Sequence, residues 1–266
     1  MGLYKDTIGR LTLWVNNKNY RSYTYFKLFL LNRKIKQSKI IKTGRFRIAI
    51  VDANSFIFQY KEIFVEKIYK FSTSNPNPVI FDCGGNIGLS ILYFKQLFPE
   101  AKIFGFEADP QIANILSKNI ELNHLKNVTL IPKAVWIDNQ GVNFNADGKD
   151  GGAISKTVKS VHIDSIRLKD CLQKKSKIDF LKMDIEGAEF EVLNDCREEL
   201  HKVDKIFVEY HSLAGQDQKL NELLAILKET GFKYNIQSIN FYNNTYQKFA
   251  FENGFDMQLN IFGYKA

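Results

Sequence analysis

The residues best suited to chemistry fall in two short stretches. In the first, an apolar run (Val79-Ile80-Phe81) ends in an acid, Asp82. It passes after Cys83 into a glycine turn, Gly84-Gly85-Asn86-Ile87-Gly88, ahead of the helical pattern of residues 89–98. A strand that delivers a tight glycine turn to a helix N-terminus builds a nucleotide-type binding site. Nineteen residues past Gly88, at the end of a second strand-like run (Ile103-Phe104-Gly105-Phe106), stands Glu107, placed to grip ribose hydroxyls. A dinucleotide fingerprint needs a middle glycine that lets a pyrophosphate approach the backbone. Here Asn86 occupies that place. S-adenosylmethionine carries no phosphate and needs no such approach; its cationic amino group and sulfonium suit an acid such as Asp82. The glycine spacing alone also fits a plain strand-to-helix turn, and Glu107 at its distance argues against that reading.

The second stretch, residues 178–191, runs from an apolar strand pattern through Lys182 and Asp184 to Glu186, Gly187 and Glu189. Ligands of open α/β sheets bind outside the carboxyl ends of the strands, so Asp184 and Glu186 belong to the same mouth as Asp82 and Glu107. Helix capping by acids explains Glu189. It explains Lys182 and Asp184 poorly, because charges at the end of a buried strand need partners. The next strand pattern ends Val208-Glu209-Tyr210-His211 on the same edge. His211 reads equally as a base and as a satisfied structural histidine.

The elements that position these residues alternate. The pattern predicts strands at 79–82, 102–106, 128–131, 178–183 and 204–209, and helices at 88–98, 110–122, 188–194 and 216–230. Pro110 takes a favoured first-turn position. Strand-like segments at 133–138, 142–144 and 158–163 lie between, and Asp164 is expected to cap a helix through Cys171. Such alternation means a mostly parallel sheet with helices on both faces. The closing segments 232–239 and 257–264, joined without a helix, suggest an antiparallel last strand. Upstream, residues 44–60 read as a β-hairpin turning at Asp52-Ala53-Asn54, with Phe56-Ile57-Phe58 returning or leading into a helix. Residues 60–71 have helical spacing, and the proline-bearing linker Ser72–Pro78 marks entry to the main domain. The expected division is residues 1–72, a basic extension, and residues 73–266, the α/β domain.

The 266 residues suit one domain plus an appendage, and a hydrophobic content of 45% is ample for a core. Three scattered cysteines, Cys83, Cys171 and Cys196, show neither metal spacing nor a disulfide framework, which fits a reducing compartment. No apolar run reaches membrane-span length and no signal core opens the chain, so the expected location is cytoplasmic. The formal charge of +8 is uneven: residues 1–48 hold twelve Lys/Arg against one acid, Asp6, and the remainder is slightly acidic. Residues 20–34 interleave aromatic and aliphatic side chains with cations, a pattern that could lie on the inner, anionic face of a membrane. It also suits nucleic acid, a second subunit, or a helix packed on the body with a solvated basic face.

Residues 62–264 resemble the FkbM family of S-adenosylmethionine-dependent methyltransferases. The resemblance is carried by Phe81-Asp82-Cys83-Gly84-Gly85-Asn86-Ile87-Gly88, Phe106-Glu107-Ala108-Asp109-Pro110 and Leu181-Lys182-Met183-Asp184-Ile185-Glu186-Gly187-Ala188-Glu189. The family usually has alanine where this chain has Gly85. The resemblance implies a Rossmann-like seven-stranded sheet, mostly parallel with an antiparallel last strand, and methyl transfer to a hydroxyl of a sugar or polyketide. It implies that Asp82, Gly84, Gly85, Asn86 and Gly88 cradle the methionine part of the cofactor, that Glu107 with Ala108 holds the ribose, and that Ala134 and Val135 lie near the adenine, with Asp184 also at the cofactor. Oxygen methylation needs a proton acceptor, and Asp184, Glu186, Glu209 and His211 are the candidates. Asp184 and Glu209 could instead hold magnesium, a reading placed below direct base catalysis, so no resident metal is expected. The implied acceptor is a cell-surface glycan, a glycolipid precursor or a secondary metabolite. The competing class, a nucleic-acid methyltransferase using the basic arm, lacks an amino-methylation motif and a basic body. Self-association stays open.

Overall fold

The fold comes from a computed structural model, which describes residues 17–31, 38–145, 153–154, 161–239 and 254–265. It begins with helix α1 (Lys18–Leu30), a hairpin of β1 (Lys39–Thr43) and β2 (Phe46–Ile50), and helix α2 (Ala53–Tyr60), which runs on as a π-helical turn, Lys61–Glu66. The hairpin lies earlier than the sequence pattern suggested. Its turn is at Gly44, whose φ is +55°, and the acceptor at Asp52 caps α2 through Ser55 N–H at 2.8 Å instead of reversing the chain. The π-turn stops where Lys67 adopts φ +62°.

A seven-stranded sheet follows, in the order β13 (Lys233–Ser238), β14 (Phe255–Tyr264), β12 (Lys205–Leu213), β11 (Phe180–Met183), β3 (Val79–Cys83), β4 (Lys102–Phe106), β5 (Val128–Ile131). Strands β3, β4, β5, β11 and β12 are parallel, and β14 is antiparallel to both of its neighbours. The central parallel strands β3 and β11 are bulky and buried on both faces, as expected where helices cover both sides, while β5 at the edge is half-buried. Chain order reverses between β3 and β11, the switch point where such sheets bind ligands.

Helices α3 (Leu89–Leu97) and α4 (Pro110–Leu122) cover one face, and α5 (Leu168–Gln173), α6 (Glu189–Asp195) and α7 (Leu220–Glu229) cover the other. Two short strand systems flank the sheet: β6 (Ala134–Trp136) pairs with β10 (Ser165–Arg167), and β7 (Val142–Asn145) pairs with β8 (Ala153–Ile154) and β9 (Val161–Ile163). Asp164 does not cap a helix; β10 intervenes, and α5 starts after Arg167 with no side-chain cap.

The described residues ahead of 73 share their core with the sheet domain. Phe26, Phe46, Ile48, Phe56, Tyr60 and Phe64 share one apolar cluster with Ile80, Leu89 and Phe94 of the sheet domain. Two asparagines of α4 extend this join. Asn119 accepts from Ala49 N–H (2.7 Å) and donates to its carbonyl (3.0 Å), while Asn123 does the same with Arg47 (2.9 and 2.8 Å). Spaced four apart on the helix, they satisfy the edge of β2 as a neighbouring strand would.

Candidate active site

The turn after β3 is tied to β4: the N–H groups of Gly84 and Gly85 both donate to the Phe106 carbonyl, at 3.1 and 2.7 Å. Gly84 has φ +86°, and a Cβ there would lie 1.8 Å from the Asp184 carbonyl oxygen. Only glycine lets this turn lie against the end of β11. Asn86 N–H donates to Glu107 Oε2 at 2.7 Å, and Asp109 N–H donates to Oε1 at 2.9 Å. Glu107 therefore staples the two strand ends together, and burial pushes its carboxyl up to about 7. Asp109 in turn caps α4 by accepting from Gln111 N–H at 2.8 Å.

A cleft of about 1120 Å³, open to solvent, lies over this edge. Of the residues expected at a cofactor, Gly84, Gly85, Asn86, Glu107, Ala108, Ala134, Val135 and Asp184 line it. Gly88 (φ +90°) sits at the α3 start, behind the wall. Asp82 is placed differently from the expectation that it meets a ligand cation. It is fully buried, accepts from Ser90 Oγ, and lies 3.5 Å from Lys182 Nζ. Lys182 Nζ also donates to Gly84 O at 2.7 Å and pairs with Asp184 at 3.0 Å. Burial works against the lysine's charge, but Asp184 and Asp82 outweigh it and raise its pKa. The internal lysine, not a ligand, is the cation that Asp82 serves.

A second cluster stands beside the first, on β12. His211 Nδ1 lies 3.1 Å from Glu189 Oε1, while Nε2 lies 3.4 Å from Glu209 and 3.6 Å from Glu186. Burial disfavours an imidazolium, yet Glu189, Glu209 and Glu186 together hold the ring's pKa well above its usual value. His211 is buried and off the cleft wall. The three acids favour the protonated ring, and His211 lies behind Glu186 and Glu209 with its charge toward them. Glu189 closes the turn that carries Glu186, accepting from Ile185 N–H (3.0 Å) and Gly187 N–H (3.1 Å). That turn is strained: Glu186 has φ +57°, a left-handed conformation that non-glycine residues adopt rarely. The acid is thereby aimed into the cleft with Asp184 and Glu209.

The opposite wall comes from the N-terminal elements: Phe58, Gln59, Glu62, Ile63 and Tyr69. The sequence pattern did not single out Glu62. Its helical spacing was visible, but nothing local says that one acid of the π-turn faces Asp184 and Glu209 across the sheet edge. Burial first, then repulsion from Glu209 and Glu66, pushes Glu62 up to about 8. Glu186 is pushed up to about 9, mainly by burial, with Asp184 and Glu209 opposing the relief given by His211. Acids thus outnumber cations here, with Glu62, Asp82, Asp184, Glu186, Glu189 and Glu209 around Lys182 and His211. Such a site favours a cationic ligand. Asp184, Glu186 and His211 also offer ligand atoms within 4.8 Å of one another, a spacing that could hold a divalent ion. His211, Ser212, Leu213, Gln216 and Asp217 line a separate depression behind Glu189.

Comparison with known proteins gives the same outline. The family model described as "Methyltransferase FkbM domain" matches residues 82–234. Methyltransferase sdnD of Sordaria araneosa is 32% identical over 219 residues, 66% of this chain and 81% of that protein. The 2-O-methyltransferase NoeI of Sinorhizobium fredii (strain NBRC 101917 / NGR234) is 30% identical over 169 residues, 55% of this chain and 67% of that one. A crystal structure of methyltransferase FkbM from Methylobacillus flagellatus KT superposes with a TM-score of 0.48 at 15% identity, covering 80% of this chain and 53% of that one.

Proposed function

The chain belongs to the FkbM methyltransferase family, and from that premise we propose that it transfers a methyl group from S-adenosylmethionine to a hydroxyl of a sugar in a glycan, glycolipid or secondary metabolite. The observation that carries this reading is the acid-rich cleft at the sheet's switch point, bounded by the glycine turn on one side and Glu62 on the other. A relative named as a 2-O-methyltransferase supports oxygen as the acceptor atom.

The residues fit the cofactor. Gly84 and Gly85 present the turn backbone to the cleft, Glu107 stands at the end of β4 for ribose hydroxyls, and Ala134 and Val135 offer small apolar contacts. A cationic ligand beside Glu62, Glu186 and Glu209 favours their ionised forms, and these in turn attract its positive charge. Bound there, S-adenosylmethionine supplies a methyl group already activated on a sulfonium. The protein's remaining tasks are to hold the acceptor oxygen near attack distance, exclude water and take up a proton. Glu209 is the group assigned to the proton. It faces the cleft, and burial with the neighbouring Asp184 raises its basicity. His211, 3.4 Å behind it, fixes its orientation. Asp184 and Glu186 flank the same space, and Glu62 approaches from the other side.

The test has two arms. Calorimetry should register both S-adenosylmethionine and its demethylated product. Activated sugars and lipid-linked glycans, screened by mass spectrometry, should yield an acceptor that gains one methyl. Glu209→Gln should then lower turnover by about 100-fold or more with cofactor affinity nearly unchanged. If cofactor affinity collapses instead, Glu209 holds the ligand and is not the base. A magnesium-assisted variant draws on the spacing of Asp184, Glu186 and His211. It requires His211 to give up a proton that Glu189 helps retain, and transfer that survives exhaustive EDTA treatment eliminates it.

A further inference from the structure

Helix α1 is apolar on two opposite sides. Its inner side is accounted for: Phe26 packs edge-on against Phe56 (5.0 Å) and Tyr60 (5.2 Å), Leu30 is buried, and Asn19 Nδ2 donates to the Phe64 carbonyl at 2.9 Å. On the outer side, Leu28 is 73% exposed, Tyr25 56% and Phe29 50%, with Leu31 also exposed just past the helix. Tyr25, Leu28 and Phe29 fall at i, i+3 and i+4, so they form one stripe. Lys18 and Arg21 continue that stripe toward the N-terminus, Lys27 is exposed on a different side, and the helix contains no acid.

A surface helix normally turns its polar face outward. Here the outward face pairs large apolar side chains with cations, in the part of the chain where twelve Lys/Arg stand against one acid over residues 1–48. The body beyond residue 48 is slightly acidic, so this charge is not a property of the whole surface. We infer that the outer face of α1 docks on an anionic lipid bilayer, lying in the plane of the headgroups. Leu28, Phe29 and Leu31 enter the acyl boundary while Lys18 and Arg21 pair with lipid phosphates. Nucleic acid would satisfy the cations and stack the aromatics, but it offers nothing to the aliphatic Leu28 and Leu31. No described helix is long and apolar enough to cross a membrane, so the contact is peripheral.

The position of this face gives it a consequence for the site. The helix α2 that receives Phe26 also carries Phe58, which is 51% exposed and lines the cleft. A bilayer under α1 therefore lies one helix away from the cleft mouth, where a hydroxyl of a lipid-borne acceptor could reach it. This last step rests on the proposed methyl transfer; the docking itself does not.

The experiment uses the full chain and co-flotation with vesicles of phosphatidylcholine alone or mixed with phosphatidylglycerol. The expected result is binding to the mixed vesicles only, weakened about tenfold or more by high salt or by Lys18→Gln/Arg21→Gln. Leu28→Asp/Phe29→Asp should abolish it while thermal melting and cofactor calorimetry stay as in the parent. The charge variant keeps the test open should the apolar variant fail to fold. No flotation, equal binding to both vesicle types, binding of RNA in place of vesicles, or light scattering that shows a dimer dissolved by Leu28→Asp/Phe29→Asp would each overturn the proposal.

Discussion

Lys182 and His211 stand near the carboxyl ends of neighbouring parallel strands, and each gathers buried and half-buried carboxylates. Their surroundings differ in one respect. Lys182 is bound to the glycine turn itself through Gly84 O, and to Asp82 in the strand before it, so it holds the backbone of that turn in place. His211 is bound only to side chains, two of which face the cleft. The lysine's charge is fixed over any working pH. The imidazolium can be lost, and with it the force that keeps Glu186 and Glu209 together. The same device, a buried cation under acids, therefore serves as permanent scaffold in one place and as a titratable support in the other.

The largest effect should come from breaking the scaffold. Lys182→Met leaves Asp82 buried without a counter-charge, and removing one partner of a buried ion pair typically costs about 3–5 kcal/mol. Urea titration should show that loss; a variant within about 1 kcal/mol of the parent would mean Asp82 is satisfied by Ser90 alone.

Replacing the titratable support should cost less and depend on pH. His211→Gln is expected to lose about 2 kcal/mol near pH 6. Because the folded-state pKa of His211 is raised, its contribution is full below the unfolded value of about 6.5 and fades as pH climbs through the folded value. The gap between variant and parent should therefore narrow in alkaline melts. A gap that is constant with pH would identify His211 as packing rather than charge.

The cleft acids sharpen the contrast from the other side. Glu62 and Glu186, pushed up to about 8 and about 9, keep protons in the folded state that the unfolded chain releases near pH 4.5. Their ionisation destabilises the free protein as pH rises from about 4.5 through those values. Glu62→Gln should remove its share, making the variant more stable than the parent at pH 9 and equal to it near pH 4. The same variant should weaken S-adenosylmethionine by up to about tenfold at pH 9, where the parent's carboxylate adds its charge. The smallest expected effect is the coupling between the clusters. In a Lys182→Met/His211→Gln double-mutant cycle at pH 6, the interaction energy should stay under about 1 kcal/mol, since they share neighbours but no direct bond.

The sheet was legible because its strands are short apolar runs closed by acids, and because Pro110 and the glycine turn punctuate the helices where they begin. The helix over 110–122 was read to the residue for that reason. The hairpin was misplaced because Asp52-Ala53-Asn54 has turn composition, yet Asp52 is an equally good helix cap, and the packing of Phe56 and Tyr60 against Phe26 decides for the helix. Among the site residues, the acids at strand ends could be assigned to one edge by topology alone. What topology does not encode is depth. Asp82 and His211 have the same sequence credentials as Asp184 and Glu209, and only the three-dimensional neighbours Lys182 and Glu189 show that they lie beneath the wall. Glu62 was illegible for the converse reason, since it reaches the cleft from an element that precedes every strand of the sheet.

The crossing at residues 72–78 is lashed to the sheet: Thr73 and Asn75 donate to Asp179 at 2.9 Å, and the same carboxylate receives Val79 N–H. Since the apolar cluster spans both sides of that crossing, a protease that nicks it should leave two fragments that elute together and separate only in denaturant. Recombinant trimming of everything before the family match would strip Phe94, Tyr93 and Ile91 of their cover and yield sticky, poorly soluble material, so expression work is best begun from the intact polypeptide.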